Sequence, residues 1–218
     1  MVTSPDSAQA ADALPLNLGQ SQANGDVRFA ELHCVSNYSF LRGASHPEEL
    51  VQRAYELGYE AIALTDECSY AGLVKAHKTA QALNIKLICG AEFVLEDDQT
   101  SVPPVSAASL NRLILLAPDR SAYGQISSLI SKLRRRSEKG KYFLNAQDLS
   151  VGLKECLAIW LPSEAASTDN QATGEYLRPL FRRLWIALGL FQDGRDITST
   201  RRVLHLSNEL NLPVVATN

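Results

Sequence analysis

The sequence has no excess of positive charge, no cysteines paired at metal-binding spacing and no long apolar run, and each absence closes a class of function. With 21 Lys and Arg against 24 Asp and Glu, the formal net charge is −3. Bulk affinity for a phosphate backbone comes from basic surface, so any nucleic-acid contact must be local. The four cysteines, Cys34, Cys68, Cys89 and Cys156, form no CxxC pair. They lie in or beside apolar strands and read as reduced, buried thiols of a cytoplasmic protein, not as a disulfide framework or a zinc finger. No apolar stretch approaches the roughly 20 residues needed to span a bilayer. No Lys or Arg precedes Arg28, so the basic flank of a signal or transit peptide is missing.

What is present is enough apolar material for a full core: 45% of 218 residues are hydrophobic. Residues 1–27 are Ala, Ser, Gln, Asn, Asp and Pro with few large apolar side chains. Such a segment cannot bury enough surface to offset its ordering, and it reads as a disordered leader before one domain over 28–218. From Arg28 onward strand and helix patterns alternate. Strands are expected at Phe29–Cys34, Ala61–Thr65, Ile85–Leu95, Arg112–Ala117, Cys156–Leu161, Leu184–Leu190 and Pro213–Ala216.

Helices are expected from a Ser45-His-Pro-Glu48 capping box through Leu57, and over Ala71–Leu83, Asp119–Leu133, Glu175–Phe181 and Ile197–Leu210. Segment 96–109, acidic and then rich in Ser, Pro and Ala, and segment 162–173 read as loops. The alternation implies parallel strands joined by crossover helices, hence an α/β fold, and the strand count favours a barrel. Trp160 and Trp185 fall within apolar strands and are assigned to the core.

Barrels of this kind place their chemistry at the carboxyl ends of strands. Strand one delivers His33, strand two ends at Asp66-Glu67, and strand three carries Glu92 in Gly90-Ala-Glu92. One imidazole and three carboxylates at one mouth could hold a divalent cation such as Mn²⁺ or Zn²⁺. The set is sparse, because His46, His77 and His205 fall on predicted helices and Val35 stands where a second imidazole would share the face of His33. Each residue also has a structural reading. His33 could be a hydrogen-bonded core histidine, Asp66 a helix cap, and Glu92 the partner of Arg112 on the neighbouring strand.

The runs ELHCVSNYSFLRGASHPEELVQRAYELGYEAIALTDECSYAGLVKAHKTAQ and IKLICGAEF resemble the amino-terminal PHP (polymerase and histidinol phosphatase) domain of bacterial C-family DNA polymerase α subunits. RLILLAPDRSAYGQISSLISKLRRRSEKGKYFL resembles the error-prone, translesion branch of that family. The resemblance implies a distorted seven-stranded (β/α)7 barrel, a cytoplasmic location and a role in DNA damage tolerance and replication past lesions. It makes His33, Asp66, Glu67 and Glu92 the remnants of a metal site. The family's His-x-His strand retains His33 only, its Asp-His pair becomes Asp66-Glu67, and the histidine expected on the fourth strand falls at or next to Arg112. A guanidinium there puts a fixed positive charge where a metal would sit.

Family members also run Ala-Thr-Asn into an Asp-x-His motif beyond the position of Asn218. The resemblance therefore implies an amino-terminal fragment, with the barrel incomplete at its carboxyl end. The palm that holds Mg²⁺ for nucleotidyl transfer lies outside these residues in the family.

One basic run, Arg134, Arg135, Arg136, Lys139 and Lys141 followed by Tyr142 and Phe143, suits DNA phosphates or an acidic neighbouring domain. A solvated helix end is the alternative, since cations are favoured there by the helix dipole. Three functions follow. The chain could be the structural platform of an error-prone polymerase, working with DNA, downstream polymerase domains and accessory proteins, with no membrane. It could be a metal-dependent phosphoesterase or 3′–5′ exonuclease. A free-standing histidinol-phosphatase-like enzyme would require a fuller histidine set than this sequence has.

Overall fold

The computed structural model describes residues 28–95, 111–150, 152–163, 167–192 and 194–217. The leader expected over 1–27 and the loop expected over 96–109 lie outside the described residues. Seven strands form one sheet in chain order: β1 (Ala30–Cys34), β2 (Ala61–Leu64), β3 (Lys86–Leu95), β4 (Asn111–Ala117), β5 (Leu157–Leu161), β6 (Arg183–Leu188) and β7 (Val214–Ala216). The helices are α1 (Pro47–Glu56), α2 (Leu73–Leu83), α3 (Arg120–Arg136), α4 (Ala146–Leu149), α5 (Ser167–Leu177) and α6 (Asp196–Leu210).

The sheet is rolled up, and its apolar pattern says so. Along β4, Leu113 and Leu115 face a large cluster shared with α3, α5 and α6, whereas Ile114 and Leu116 face a second cluster. That second cluster receives a side chain from every strand: Leu32, Ala63, Ile88, Ile114, Ile159, Ala187 and Val215. Seven strands can surround one cluster only if the sheet curls around it, so this is a barrel interior. Burial on both faces is why these strands read as continuous apolar runs instead of alternating ones. A third cluster packs α1 and α2 against β2.

Not every pair is parallel. β1–β2, β2–β3, β5–β6 and β6–β7 are parallel, but β4 is antiparallel to both β3 and β5. This corrects the expectation of parallel pairing throughout. A parallel crossover needs a connection of a dozen or more residues, usually a helix, and the Ser/Pro/Ala-rich run between β3 and β4 has no helical spacing of apolar residues. The reversal brings the start of β4 to the mouth formed by the carboxyl ends of the other strands. After α3, the segment containing α4 returns the chain to the far end of the barrel, where β5 begins beside Leu116.

The barrel has a seam. Among the described residues no backbone ladder joins β1 to β7. The hydroxyl of Thr217, just past β7, instead donates to Glu31 Oε1 on β1 at 3.2 Å, and both residues are buried. The barrel is thus distorted and incomplete at its carboxyl end, in agreement with the sequence.

Three local expectations need correction. The cap of α1 sits one residue later than expected: His46 is the N-cap, its N–H donates to Glu49 Oε2 at 2.7 Å, and Pro47 opens the helix. α5 occupies residues assigned to a loop, and a short 3₁₀ turn, Arg178–Leu180, follows it. Its buried positions include Asn170, Thr173 and Gly174, which give no apolar periodicity. A Cβ on Gly174 would collide with Leu210 of α6 and lie 3.0 Å from Trp160, so glycine permits this approach.

Third, Trp160 is fully buried and its indole N–H donates to Asn111 Oδ1 at 3.1 Å, but Trp185 is only half-buried. Similarly, Cys68 and Cys156 are buried thiols, while Cys34 and Cys89 are partly exposed.

Trp160→Ala is expected to cost about 3–5 kcal/mol of unfolding free energy by cavity formation. Trp185→Ala should cost clearly less. Urea unfolding of both variants checks the order, and an equal or larger loss from Trp185→Ala would contradict this account of the core.

Candidate functional site

The mouth of the barrel is organised by Glu92. On β3, Gly90 lets the strand press against β4, where a Cβ would meet Leu115 O at 2.8 Å. Glu92 follows two residues later with no solvent exposure. Beyond the end of β2, Glu92 N donates to Asp66 O at 3.2 Å and Cys68 N donates to Glu92 O at 2.8 Å. These bonds extend the β2–β3 pairing past the regular ladder and carry Asp66 and Glu67 to the same mouth.

Three side chains converge on the Glu92 carboxylate. His33 Nε2 lies 2.5 Å from Oε2. Arg112 Nη1 donates to Oε1 at 2.9 Å from the start of β4. Arg42 reaches it with two nitrogens: Nη1 donates to Oε1, and Nη2 donates to Oε2 at 3.2 Å. The same Nη1 donates to Glu67 Oε2 at 2.9 Å. The other oxygen of Glu67 accepts from Tyr142 OH at 3.0 Å, and that hydroxyl accepts from Val94 N.

Burial alone would raise the pKa of Glu92. The hydrogen bonds from His33 and Arg42, with their charge, instead hold it at about 2. Burial opposes the charge of Arg42 too, but its bonds to Glu92 and Glu67 raise its pKa further.

Arg42 is delivered by a turn that its own neighbours build. Asp66 Oδ1 accepts from Ser36 N and Ser39 Oγ, each at 2.8 Å, and Oδ2 accepts from Ser36 Oγ at 2.7 Å. Arg42 N and Gly43 N both donate to Ser39 O. Any Cβ on Gly43 would run into the Ser36 carbonyl, and Leu41 takes a φ of 61° to complete the turn. The result points Arg42 into the mouth and leaves Phe40 and Leu41 85% and 89% exposed.

The four sequence-predicted ligands therefore have different fates. His33 and Glu92 are in direct contact, and Glu67 joins them through Arg42. Asp66 binds the serine turn and caps no helix, since the N-cap of α2 is Gly72. Arg112 pairs with Glu92, as the structural reading of both residues expected. Arg42 and Tyr142 were missed. The only sequence signal for Arg42 was a lone cation in the loop directly after the first strand.

A divalent cation does not fit these donors as they stand. Both oxygens of Glu92, Asp66 and Glu67 already accept bonds from protein donors, and the guanidinium groups of Arg42 and Arg112 stand against Glu92, that of Arg42 also against Glu67. Among the described residues, no three His, Cys, Asp or Glu side chains are grouped to hold a metal.

The basic run divides in two. Arg134 donates to the carbonyls of Cys68, Glu67, Gly140 and Lys141 and lies 5.3 Å from the Tyr142 ring, bracing the Glu67 segment from behind. Arg136 and Lys132 pair with buried Asp148, which belongs to an Asn145–Asp148 capping box at α4. Lys141 pairs with Glu138 at 2.9 Å on the surface. Arg135 and Lys139 are exposed.

Residues 31–162 match the family model for the PHP domain. The chain belongs to the PHP domain family. Among curated proteins it is 48% identical over 197 residues to the error-prone DNA polymerase of Methylococcus capsulatus, covering 89% of this chain and 17% of that protein. It is 42% identical over 192 residues to the error-prone DNA polymerase of Teredinibacter turnerae, covering 88% and 17%. The chain thus spans about a sixth of the length of these relatives.

Two solved structures share the fold. One is a putative metal-dependent phosphoesterase from Bifidobacterium adolescentis, with a TM-score of 0.59, 14% identity, and 89% and 88% of the two chains covered. The other is an amidohydrolase from Chromobacterium violaceum solved with sulfate and no metal, with a TM-score of 0.64, 13% identity, and 87% and 86% covered.

The acid limb of stability tests the Glu92 cluster of this PHP domain. The folded-state pKa of Glu92, about 2, lies below its ordinary value of 4.5, so protonation favours unfolding. Its contribution is complete above pH 4.5 and is lost as the pH falls towards 2. Glu92→Gln should lower stability at neutral pH and give a shallower decline across that window in urea titrations. An unchanged slope would show that Glu92 is not held this way.

Proposed function

We propose that this PHP domain is the amino-terminal part of an error-prone DNA-directed DNA polymerase and serves it as a structural platform. The observation that carries the reading is the Glu92 cluster. At the mouth where the resemblance puts a metal, ion pairs from Arg42 and Arg112 cross-link the first loop, β3 and β4. A buried carboxylate tied to three elements rigidifies a scaffold, and it offers no activated water for hydrolysis. The identity to error-prone polymerases over nearly the whole described chain supports the same parent.

In that parent, nucleotidyl transfer with Mg²⁺ belongs to residues outside this chain. The polypeptide would act on DNA in damage tolerance, repair and translesion replication in the cytoplasm, together with its own polymerase domains and accessory proteins. Among the described residues no helix is long and apolar enough to cross a membrane. Exposed Arg135 and Lys139, with Lys141 nearby, suit phosphate contacts or an acidic surface of an adjoining domain.

The test is made in the full-length polymerase that carries this domain. Trp160→Ala should lower thermal stability and nucleotide incorporation together. His33→Ala keeps both guanidinium contacts to Glu92 and should change kcat/KM for incorporation by less than about threefold, under 1 kcal/mol. A loss of about a hundredfold in a folded His33→Ala protein, or exonuclease activity abolished by that substitution, would favour the metal-dependent phosphoesterase or 3′–5′ exonuclease reading instead.

A further inference from the structure

A cavity of about 200 Å³ lies between α6 and the carboxyl ends of β5 and β6, and it shares no residue with the Glu92 cluster. Leu188, Phe191 and Val203 give it apolar walls, and Arg195, Ser199 and Arg202 line it from α6 and its N-cap. Glycine makes room for one of those walls: a Cβ on Gly189 would lie 2.9 Å from Phe191 Cζ. The charges at this cavity do not balance. Asp196 also borders it, but its two oxygens accept from Phe191 N at 3.1 Å and Gln192 N at 3.0 Å, which ties them to the loop before α6. Arg202 has no ion pair or hydrogen bond among the described residues, and its Nε is buried without an acceptor. A sealed N–H that gives up water and gains no acceptor is costly, and a group in that state calls for an ion or molecule to account for it. An oxyanion at the forked end of the guanidinium answers the charge even while Nε stays sealed.

We infer that the cavity is a binding site for a small phosphomonoester, its phosphoryl group held at Ser199 between Arg195 and Arg202 and its carbon end against Leu188, Phe191 and Val203. The spacing suits this ligand. Ser199 stands four residues after Arg195 and three before Arg202, so the three share one face of α6 with the hydroxyl between the two guanidinium groups. Each guanidinium offers a planar fork that matches phosphate oxygens, and the serine hydroxyl supplies a donor for another oxygen. The volume sets the size. Pockets for drug-sized ligands run to about 300–1,000 Å³, so about 200 Å³ takes a phosphoryl group with a few carbons and excludes a nucleotide. This site is independent of the platform role, and neither depends on the other.

The experiment melts the 218-residue chain and its Arg202→Met and Ser199→Ala variants in glycerol 3-phosphate, in lactate and in chloride of equal ionic strength, and follows the ³¹P line of glycerol 3-phosphate as each protein is added. For a dissociation constant of about 1 mM, about 10 mM glycerol 3-phosphate should raise the melting temperature of the wild-type chain by about 3–6 °C. It should also broaden the ³¹P line. Arg202→Met keeps an apolar stem and removes the unpaired charge, so in chloride it should melt no lower than wild type, while losing the ligand-induced shift and the broadening. Ser199→Ala should weaken binding about fivefold, as for one hydrogen bond. Excluded anions stabilise proteins without a site, so the quantity read is the part of the shift that Arg202→Met removes.

Three results would overturn the inference: equal shifts in wild type and Arg202→Met, an Arg202-dependent shift as large in lactate as in glycerol 3-phosphate, or an Arg202→Met protein that melts well below wild type in chloride or does not fold.

Discussion

The mouth of this barrel depends on one buried charge. Glu92 has no contact with solvent, and a carboxylate in that state is tolerated only when it is paired and hydrogen-bonded. Its partners come from β1, the loop after β1, and β4. Meeting its requirement therefore sets the conformation of each. The β4 reversal brings Arg112 to the mouth. The serine turn on Asp66 brings Arg42. Arg134, behind them, holds the carbonyls of Glu67 and Cys68 in place. Removing one partner leaves the remaining ones to hold the same buried charge, so the effects of substituting them should not simply add.

The mouth differs in one chemical respect from a site of metal-assisted hydrolysis. A hydrolytic site needs an exchangeable position where water meets a cation. Guanidinium groups supply charge without an open coordination position. Here the oxygens of Glu92 and Glu67 are engaged by protein donors instead. The result is a cross-link between elements far apart in sequence, the feature on which the proposed platform role rests.

Most of the strand order was legible, because strands buried on both faces leave dense apolar runs such as Leu113–Leu116. The pairing of Glu92 with Arg112 was legible for a related reason. Ile114 lies directly opposite Glu92 in the β3–β4 register, and Arg112 is the diagonal neighbour two residues away. α5 was not legible, since Asn170, Thr173 and Gly174 bury a face by being small or hydrogen-bonded. The place of Arg42 was hidden as well. It depends on a turn that Asp66, thirty residues away from Ser36, holds through Ser36 and Ser39, and that Leu41 and Gly43 complete. The direction of β4 could have been read from the lack of helical apolar spacing in the sequence before it, but the alternation elsewhere concealed the exception.

The seam has a consequence in time. Thr217 and Glu31, which meet across the seam, are separated by 186 residues. At about 5–20 residues per second, a ribosome takes roughly 10–40 s to make the second after the first. Through that interval the outer edge of β1 has no neighbour, although its inner edge can already pair with β2. The nascent chain must therefore pass through a half-rolled state in which the other described strands are made before the Thr217–Glu31 contact can form.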